Sequence, residues 1–168
     1  MKFVTSTYLK GITNYNLRLH IDKSSNLAVC VKKIKKINEP FVLNEDGVMI
    51  KILDTGYYIV EFVPFDKNYI CRVHLDEKGE LIEQFFTATK NNAIQEGIPC
   101  FDDLKLSYVC SKASKKIYNI EGLENLLQTK QITKEDFDEA QKTINLVKKE
   151  VEENSNLIFN LNYKKYLF

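Results

Sequence analysis

Apolar and polar residues alternate in short runs over roughly the first 117 residues, and this period of two is typical of half-buried β-strands. The clearest run is Tyr69–Leu75, in which Arg72 and His74 lie between apolar positions. A polar turn over residues 76–79 ends in Gly79 and leads into a second run over 81–88, which predicts a hairpin. Further strands are predicted over 15–21, 27–37, 48–53, 57–63 and 104–110.

The period changes after about residue 115. Asn119 is expected to cap a short helix that ends near Gln128. Thr133 is followed three residues later by Asp136, which is close to a capping box. Behind it, apolar residues recur every three or four positions, at Phe137, Ala140, Ile144, Val147 and Val151. This spacing predicts a second helix to about Asn154, with one apolar stripe packed on the outside of the sheet.

The order of these segments predicts an α+β fold, an antiparallel β-barrel followed by C-terminal helices. A length of 168 residues suits one domain. It divides into a strand-rich part over 1–117, a helical part over 119–154 and a C-terminal tail over 155–168. The polar residues 89–101 include Gly97 and Pro99, so we expect them to form a long loop.

The composition of the chain indicates which classes of partner are not expected, but it does not indicate an activity. The formal net charge is +1, which indicates no overall bias toward nucleic acid or membranes. The sequence has no apolar stretch of membrane-spanning length and no pattern of a secretory signal, so a cytoplasmic location and no membrane partner are expected. Cys30, Cys71 and Cys110 interrupt apolar runs and are expected to be small buried residues, without disulfides or zinc.

Charge along the chain is uneven, and two groups of residues are candidates for ligand binding. Residues 1–40 hold eight basic side chains against two acidic ones. Lys32, Lys33 and Lys35, together with Lys105, are candidate contacts for a phosphorylated ligand. For the lysines of 31–37 an alternative interpretation is that they prevent edge-to-edge pairing of an exposed strand.

The acidic candidates are Asp102, Asp103 and Glu121. Magnesium takes oxygen ligands, commonly one or two carboxylates plus substrate phosphates, so these residues are predicted to hold a magnesium ion if the protein uses a metal at all. Acids are also common in loops for solubility and capping. His20 and His74 lie in strand-like runs and are expected to be surface or hydrogen-bonded residues.

Over roughly residues 50–150 the order of segments resembles a known family. It runs LDTGYYIVEFVP, YICRVHLDEKGELIEQFF, IPCFDDLKLSYV and YNIEGLENLLQTKQITKEDFDEA. These segments are similar to the domain-of-unknown-function 402 (DUF402) family, which includes nucleoside tri- and diphosphatases and FomD-like nucleotide hydrolases. The resemblance implies an antiparallel barrel with C-terminal helices. In active members it implies hydrolysis of phosphoanhydride or phosphodiester bonds of nucleotides with divalent metal ions.

The same resemblance places six acidic positions of the family on this chain. Four of these positions carry a residue that is not an acid, namely Thr87, Ser107, Asn119 and Gly122. The other two keep an acid, Asp103 and Glu121. Metal-assisted phosphoryl chemistry needs carboxylates to hold the ion against an anionic substrate. The resemblance therefore implies a divergent member with lost or much reduced hydrolase activity, which binds a nucleotide, another phosphorylated ligand or a protein partner.

Two alternatives stay open. The first is an active metal-dependent nucleotide phosphohydrolase, in which Asp102, Asp103 and Glu121 hold one ion. The second is an RNA-binding module, because the same domain occurs in some RNA-associated proteins and residues 1–40 are basic. RNA affinity would then fall steeply with salt. The sequence predicts no oligomeric state.

Overall fold

The computed structural model describes residues 1–7 and 10–168. Within these residues the strands precede the helices, as predicted. The strands are β1 (Lys2–Phe3), β2 (Ile12–Asp22), β3 (Leu27–Ile37), β4 (Phe41–Glu45), β5 (Val48–Leu53), β6 (Tyr58–Pro64), β7 (Tyr69–Leu75), β8 (Leu81–Gln95), β9 (Ile98–Ser111) and β10 (Lys115–Tyr118). The helices are α1 (Ile120–Gln128) and α2 (Lys134–Glu152), and a 3₁₀ turn follows at Tyr163–Tyr166.

The main sheet is antiparallel and curls into a half-barrel. Its strand order is β1-β9-β8-β7-β6-β3-β2, and β10 pairs with β9. Successive strands are mostly neighbours because short turns join them. There are two exceptions: β1 pairs with β9, and β3 is followed in the sheet by β6, because β4 and β5 form a separate two-stranded sheet. The predicted antiparallel fold with C-terminal helices is confirmed.

The helices pack on one face of this sheet, which we call the helix face. Side chains alternate along each strand, so every second residue of β3, β6, β7, β8 and β9 enters this core. The α2 stripe supplies Ala140, Ile144, Val147 and Val151, all buried. Ile158 and Tyr163 of the tail are buried in the same cluster. The predicted packing of α2 on the sheet is therefore confirmed.

The face turned away from the helices, which we call the inner face, is only partly apolar. One small cluster joins Val4 and Phe101 to β3, β6 and β7. A second cluster joins Ile52 and Leu53 to β3 and β6. Buried polar side chains lie on the same face as these clusters, and they form the candidate site described below.

The prediction of a long loop over residues 89–101 is wrong. These residues extend β8 and β9 into a long hairpin, whose turn is made by Glu96 and Gly97 at φ of 50° and 80°. The pairing is irregular near Asn92, where the ladder shifts register. The Asn92 side-chain amide donates to three backbone carbonyls at 2.8–3.0 Å. A polar residue is therefore compatible with this strand, because its side chain bonds to backbone carbonyls of nearby segments where the strand pairing is irregular.

The two helix starts turned out differently. Thr133 caps α2 with a complete capping box: its side chain accepts from Asp136 N–H at 3.1 Å, and the Asp136 carboxylate accepts from Thr133 N–H at 3.0 Å. The capping role of Asn119 is wrong. Asn119 lies in the left-handed region at φ 64°, and its side-chain amide donates to the Lys105 carbonyl at 3.2 Å instead.

Two further expectations concern exposure. All four cysteines are buried free thiols, and burial raises the pKa of Cys30 to about 12 and that of Cys110 to about 11. The interpretation of the β3 lysines as protection of a sheet edge is wrong, because β3 lies between β2 and β6. No helix among the described residues is long and apolar enough to cross a membrane.

Candidate functional site

Five charged or titratable side chains lie together on the inner face. Alternation along the strands turns them away from the helix face. Four of them stand next to residues of the helix-face core, and Glu83 stands next to Gln84, whose amide donates to Tyr163 of that core. They come from four adjacent strands: Lys32 from β3, Glu61 from β6, Arg72 and His74 from β7, and Glu83 from β8. In the register, Arg72 pairs with Glu61, and His74 pairs with Glu83.

Glu61 is the centre of a buried ion network. Its carboxylate accepts from Lys32 Nζ at 2.6 Å and from the Arg72 guanidinium at 2.9 and 3.1 Å. Lys32 Nζ also donates to the Ser6 carbonyl at 2.6 Å. Burial alone would raise the pKa of Glu61, but the charges of Arg72 and Lys32 and their hydrogen bonds outweigh it and lower that pKa.

His74 forms a second buried pair. Its Nδ1 lies 2.7 Å from Glu83 Oε1, and the two side chains are 7% and 2% exposed. Among the described residues, the opposite ring nitrogen, Nε2, is a buried polar atom with no hydrogen-bond partner. A buried polar atom left unpaired is rare in native proteins and points to a missing partner.

A cavity of about 380 Å³ lies over this pair. It is bounded by the main sheet and by β4 of the small sheet. Its polar lining includes Arg72, His74, Glu83 and Lys116, and its apolar lining includes three aromatic rings, those of Phe41, Phe85 and Tyr118. Binding sites for small molecules are commonly this large and combine apolar walls with a few polar groups.

Thr87 and Ser107 lie beside this cavity. Their hydroxyl oxygens are 2.8 Å apart, and the two residues pair directly across β8 and β9. The next inward-facing pair along the same strands is Phe85 and Val109, which line the cavity. Two of the six positions where the resemblance places family acids are therefore cross-strand neighbours, and both hold neutral residues.

The predicted ligand-binding lysines lie in different environments, and their role stays a prediction. Lys32 is 2% exposed and its ammonium group is paired with Glu61, so its positive charge is buried beneath the inner face. Lys33 holds its ammonium 5.2 Å from the centre of the Tyr58 ring, and Lys35 is exposed. Lys105 has φ of 70° and its Nζ lies 3.7 Å from Asp103.

The predicted metal ligands are engaged with cations instead of one another. Asp103 pairs with Lys2 Nζ at 2.5 Å, and Asp102 pairs with the Met1 amino group at 3.3 Å. Burial would raise the pKa of Asp103, but its bonds to Lys2 and to the Lys105 N–H lower it. Glu121 is exposed in the first turn of α1.

As arranged, these acids do not fit a magnesium site. In the part of the chain that the structure describes, no three His, Cys, Asp or Glu side chains are grouped to hold an ion. Asp102 and Asp103 were expected to follow a long loop, but they lie within β9. Their assignment to a metal stays a prediction, and no reaction step is derived from it.

Sequence reasoning named Lys32 as a candidate for ligand binding but missed the other residues of the buried groups, Glu61, Arg72, His74 and Glu83. Arg72 and His74 were placed between apolar residues of a half-buried strand, with no role beyond hydrogen bonding. The available signal was their spacing of two within β7 and the presence of Glu83 at the matching register of β8. Glu61 gave a similar signal, as the one charged residue in a fully buried β6.

Comparison with known proteins supports the fold. No family model matches the sequence, and no curated protein does. Solved structures with similar folds include the following two. FomD in complex with CDP matches with a TM-score of 0.61 and 13% identity over 85% of this chain and 78% of that chain. The phosphatase SC4828 with the non-hydrolyzable nucleotide GPCP matches with a TM-score of 0.57 and 8% identity over 80% and 77%. The FomD-like fold is confirmed, while membership of the DUF402 family stays a prediction.

Proposed function

We propose that this protein binds a nucleotide, or another small phosphorylated ligand, in the cavity on the inner face and has lost or much reduced metal-dependent hydrolysis. The nucleotide ligands of the two structural neighbours support the ligand class. The lining of the cavity also supports it, because aromatic rings can hold a base while Arg72 and Lys116 attract phosphate.

The observation that carries the loss of hydrolysis is the contact of Thr87 with Ser107. Two carboxylates at these positions would be adjacent across the strands, close enough to share a divalent ion. Two hydroxyls at 2.8 Å satisfy each other by a hydrogen bond and bring no negative charge. Two of the metal-ligand positions that the resemblance implies therefore hold a neutral contact.

A third replaced position supports the same proposal. A Cβ atom at Gly122 would lie 2.5 Å from Asn119 Oδ1. An acid at 122 would therefore require the Asn119 side chain to move, and that side chain is bonded to the Lys105 carbonyl. The residues at 119 and 122 fit each other without an acid at either position.

The test restores the two acids. In the double variant Thr87→Asp with Ser107→Asp, we expect manganese affinity, measured by calorimetry, to rise about tenfold or more over the wild type. The matched control is Thr87→Asn with Ser107→Asn, which adds similar volume without charge. It should bind manganese no better than the wild type does.

Phosphate release from nucleoside di- and triphosphates is measured in the same preparations with magnesium. The wild type is expected to release none above the no-protein background. Wild-type release that depends on magnesium and is abolished in Asp103→Ala would contradict the proposal and favour the active hydrolase.

A further inference from the structure

The unpaired Nε2 of His74 is the starting point. This atom is buried, and no donor or acceptor among the described residues satisfies it. His74 lines the cavity beneath β4, so the partner that completes its hydrogen bonding can come from a molecule in that cavity. The ring is fixed in place, because Nδ1 bonds to Glu83 and the Phe85 ring packs 5.8 Å away between centroids.

Glu83 sets the chemistry of this ring. The geometry assigns a hydrogen to Nδ1, which donates to the Glu83 carboxylate, so Nε2 holds the lone pair in the neutral ring. The same carboxylate stabilises the ring when Nε2 also takes a proton, because it lies against the positive charge. A proton on Nε2 would therefore have a carboxylate partner already in contact with the ring.

The charged side chains around His74 carry no net charge, so they do not by themselves oppose a positive charge on its ring. The charged side chains that line the cavity beside His74 are Arg72 on β7, Lys116 on β10, Glu45 on β4 and Glu83 on β8. Behind Arg72 lie the buried Glu61 and Lys32, so three basic and three acidic side chains are counted in all. These charges balance while His74 is neutral. An entering phosphate adds negative charge, and protonation of His74 supplies the matching positive charge.

The small sheet forms one wall of the cavity that His74 lines, because Phe41, Leu43 and Glu45 of β4 contribute to that wall. Nε2 is shielded from solvent, so surrounding side chains must move before a ligand oxygen reaches it. The strands β4 and β5 lie outside the order of the main sheet. A hydrogen bond from Ser111 Oγ to Glu45 Oε2 at 3.2 Å joins them to the end of β9.

We propose that His74 and Arg72 form a phosphate subsite in this cavity, with Glu83 as the positioning residue. When the phosphate enters, Nε2 takes one proton from solvent and donates it in a hydrogen bond to a phosphate oxygen. In this proton transfer the Nε2–H bond forms and an O–H bond of hydronium breaks, and no other covalent bond changes. This subsite rests on the proposed function for its ligand class, because it places the phosphate of that ligand.

The test observes the two histidines of the wild-type protein directly. His20 is exposed on β2 and serves as an internal reference. Nitrogen chemical shifts of both imidazole rings are recorded at constant neutral pH during titration with inorganic pyrophosphate and, separately, with CDP. We expect Nε2 of His74 to move from the value of an unprotonated nitrogen to that of a protonated one, saturably, while His20 stays unchanged.

The two ligands separate the two proposals. If CDP binds by calorimetry and His74 does not change, the subsite is overturned and the proposed function stands. If pyrophosphate protonates His74 and no nucleotide binds, the subsite stands and the nucleotide ligand is wrong. Equal shifts at His20 and His74 indicate non-specific ion contacts and overturn the subsite, and absence of any binding overturns both.

Variants give an independent readout. Replacing His74 alone would leave Glu83 buried without a partner, so the informative variant is His74→Asn with Glu83→Gln, which removes both charges together. We expect it to lose about tenfold in pyrophosphate affinity. In Glu83→Gln alone, binding should no longer protonate Nε2, because the stabilising carboxylate is gone. Unchanged protonation would contradict a positioning role.

Discussion

The ammonium group of Lys32 is enclosed by Glu61 and by the Ser6 carbonyl, at 2.6 Å from each. Removal of this cation leaves Glu61 paired with Arg72, which is itself partly exposed. A buried charge that loses a partner is costly, although a complete buried pair contributes little net stability. The stability of the inner face therefore depends on keeping the network whole.

We expect Lys32→Met to lower the free energy of unfolding by about 3 kcal/mol, because the aliphatic volume is kept while the charge is lost. Urea unfolding at neutral pH measures this change. Lys35→Met, at an exposed site on the same strand, is the control and should change stability by less than about 0.5 kcal/mol. Equal effects at the two positions would contradict the buried network.

The pH dependence of that loss follows from Glu61. Its pKa is lowered in the folded protein, so its ionised form stabilises the fold above the unfolded pKa, and this contribution is lost as the pH falls through the folded pKa. In Lys32→Met the same carboxyl is protonated more readily. We expect the difference in unfolding free energy between wild type and variant to narrow as the pH falls into and below the ordinary titration range of a glutamate. A difference that stays constant from neutral to acid pH would exclude Glu61 as its cause.

At the scale of elements, local signals determined which predictions succeeded. The hairpin of β7 and β8, and the helix α2 with its capping box, depend on turn chemistry and on periods that neighbouring residues set. Residues 89–101 failed because their polar side chains bond to backbone from distant segments, as Asn92 does. A hydrogen-bond partner that is distant in sequence cannot be predicted from the local pattern of apolar and polar residues.

The turn between β7 and β8 offers a test of how the C-terminal tail docks. Gly79 has φ of 77°, and an added Cβ would lie 2.7 Å from Leu167 Cδ1. Gly97 has a similar φ of 80° with nothing within 4 Å of an added Cβ. We expect Gly79→Ala to lower the free energy of unfolding by about 2 kcal/mol and Gly97→Ala by about 1 kcal/mol. Thermal or urea unfolding that ranks them in the opposite order would show that the tail does not pack on this turn.

The start of α2 tests the capping box. Thr133→Ala removes the side-chain acceptor for the Asp136 N–H, and we expect it to cost about 1 kcal/mol of unfolding free energy. Thr133→Ser keeps the hydroxyl and is expected to stay close to the wild type. Urea unfolding of both variants distinguishes lost capping from lost contacts of the methyl group, which would affect the two substitutions equally.

For the whole molecule, the curvature of the sheet creates the candidate site. The sequence allowed prediction of the fold class, through the strand pattern and the segment order, but not of the site. Its polar residues come from β3, β6, β7 and β8, and strand order and register alone bring them together. Lys32 appeared exposed from its basic neighbours, and His74 appeared ordinary, because burial depends on what packs against a strand.

The most direct test of the account is calorimetric titration of CDP into the protein with a chelator present. If the proposed function is correct, CDP binds saturably without metal. The proposed function also predicts that affinity falls about fivefold in Lys116→Met, which removes a charge from the cavity, and is unchanged in Lys142→Met on the exposed side of α2. Binding that appears only with added magnesium, or that Lys116→Met leaves unaltered, would contradict it.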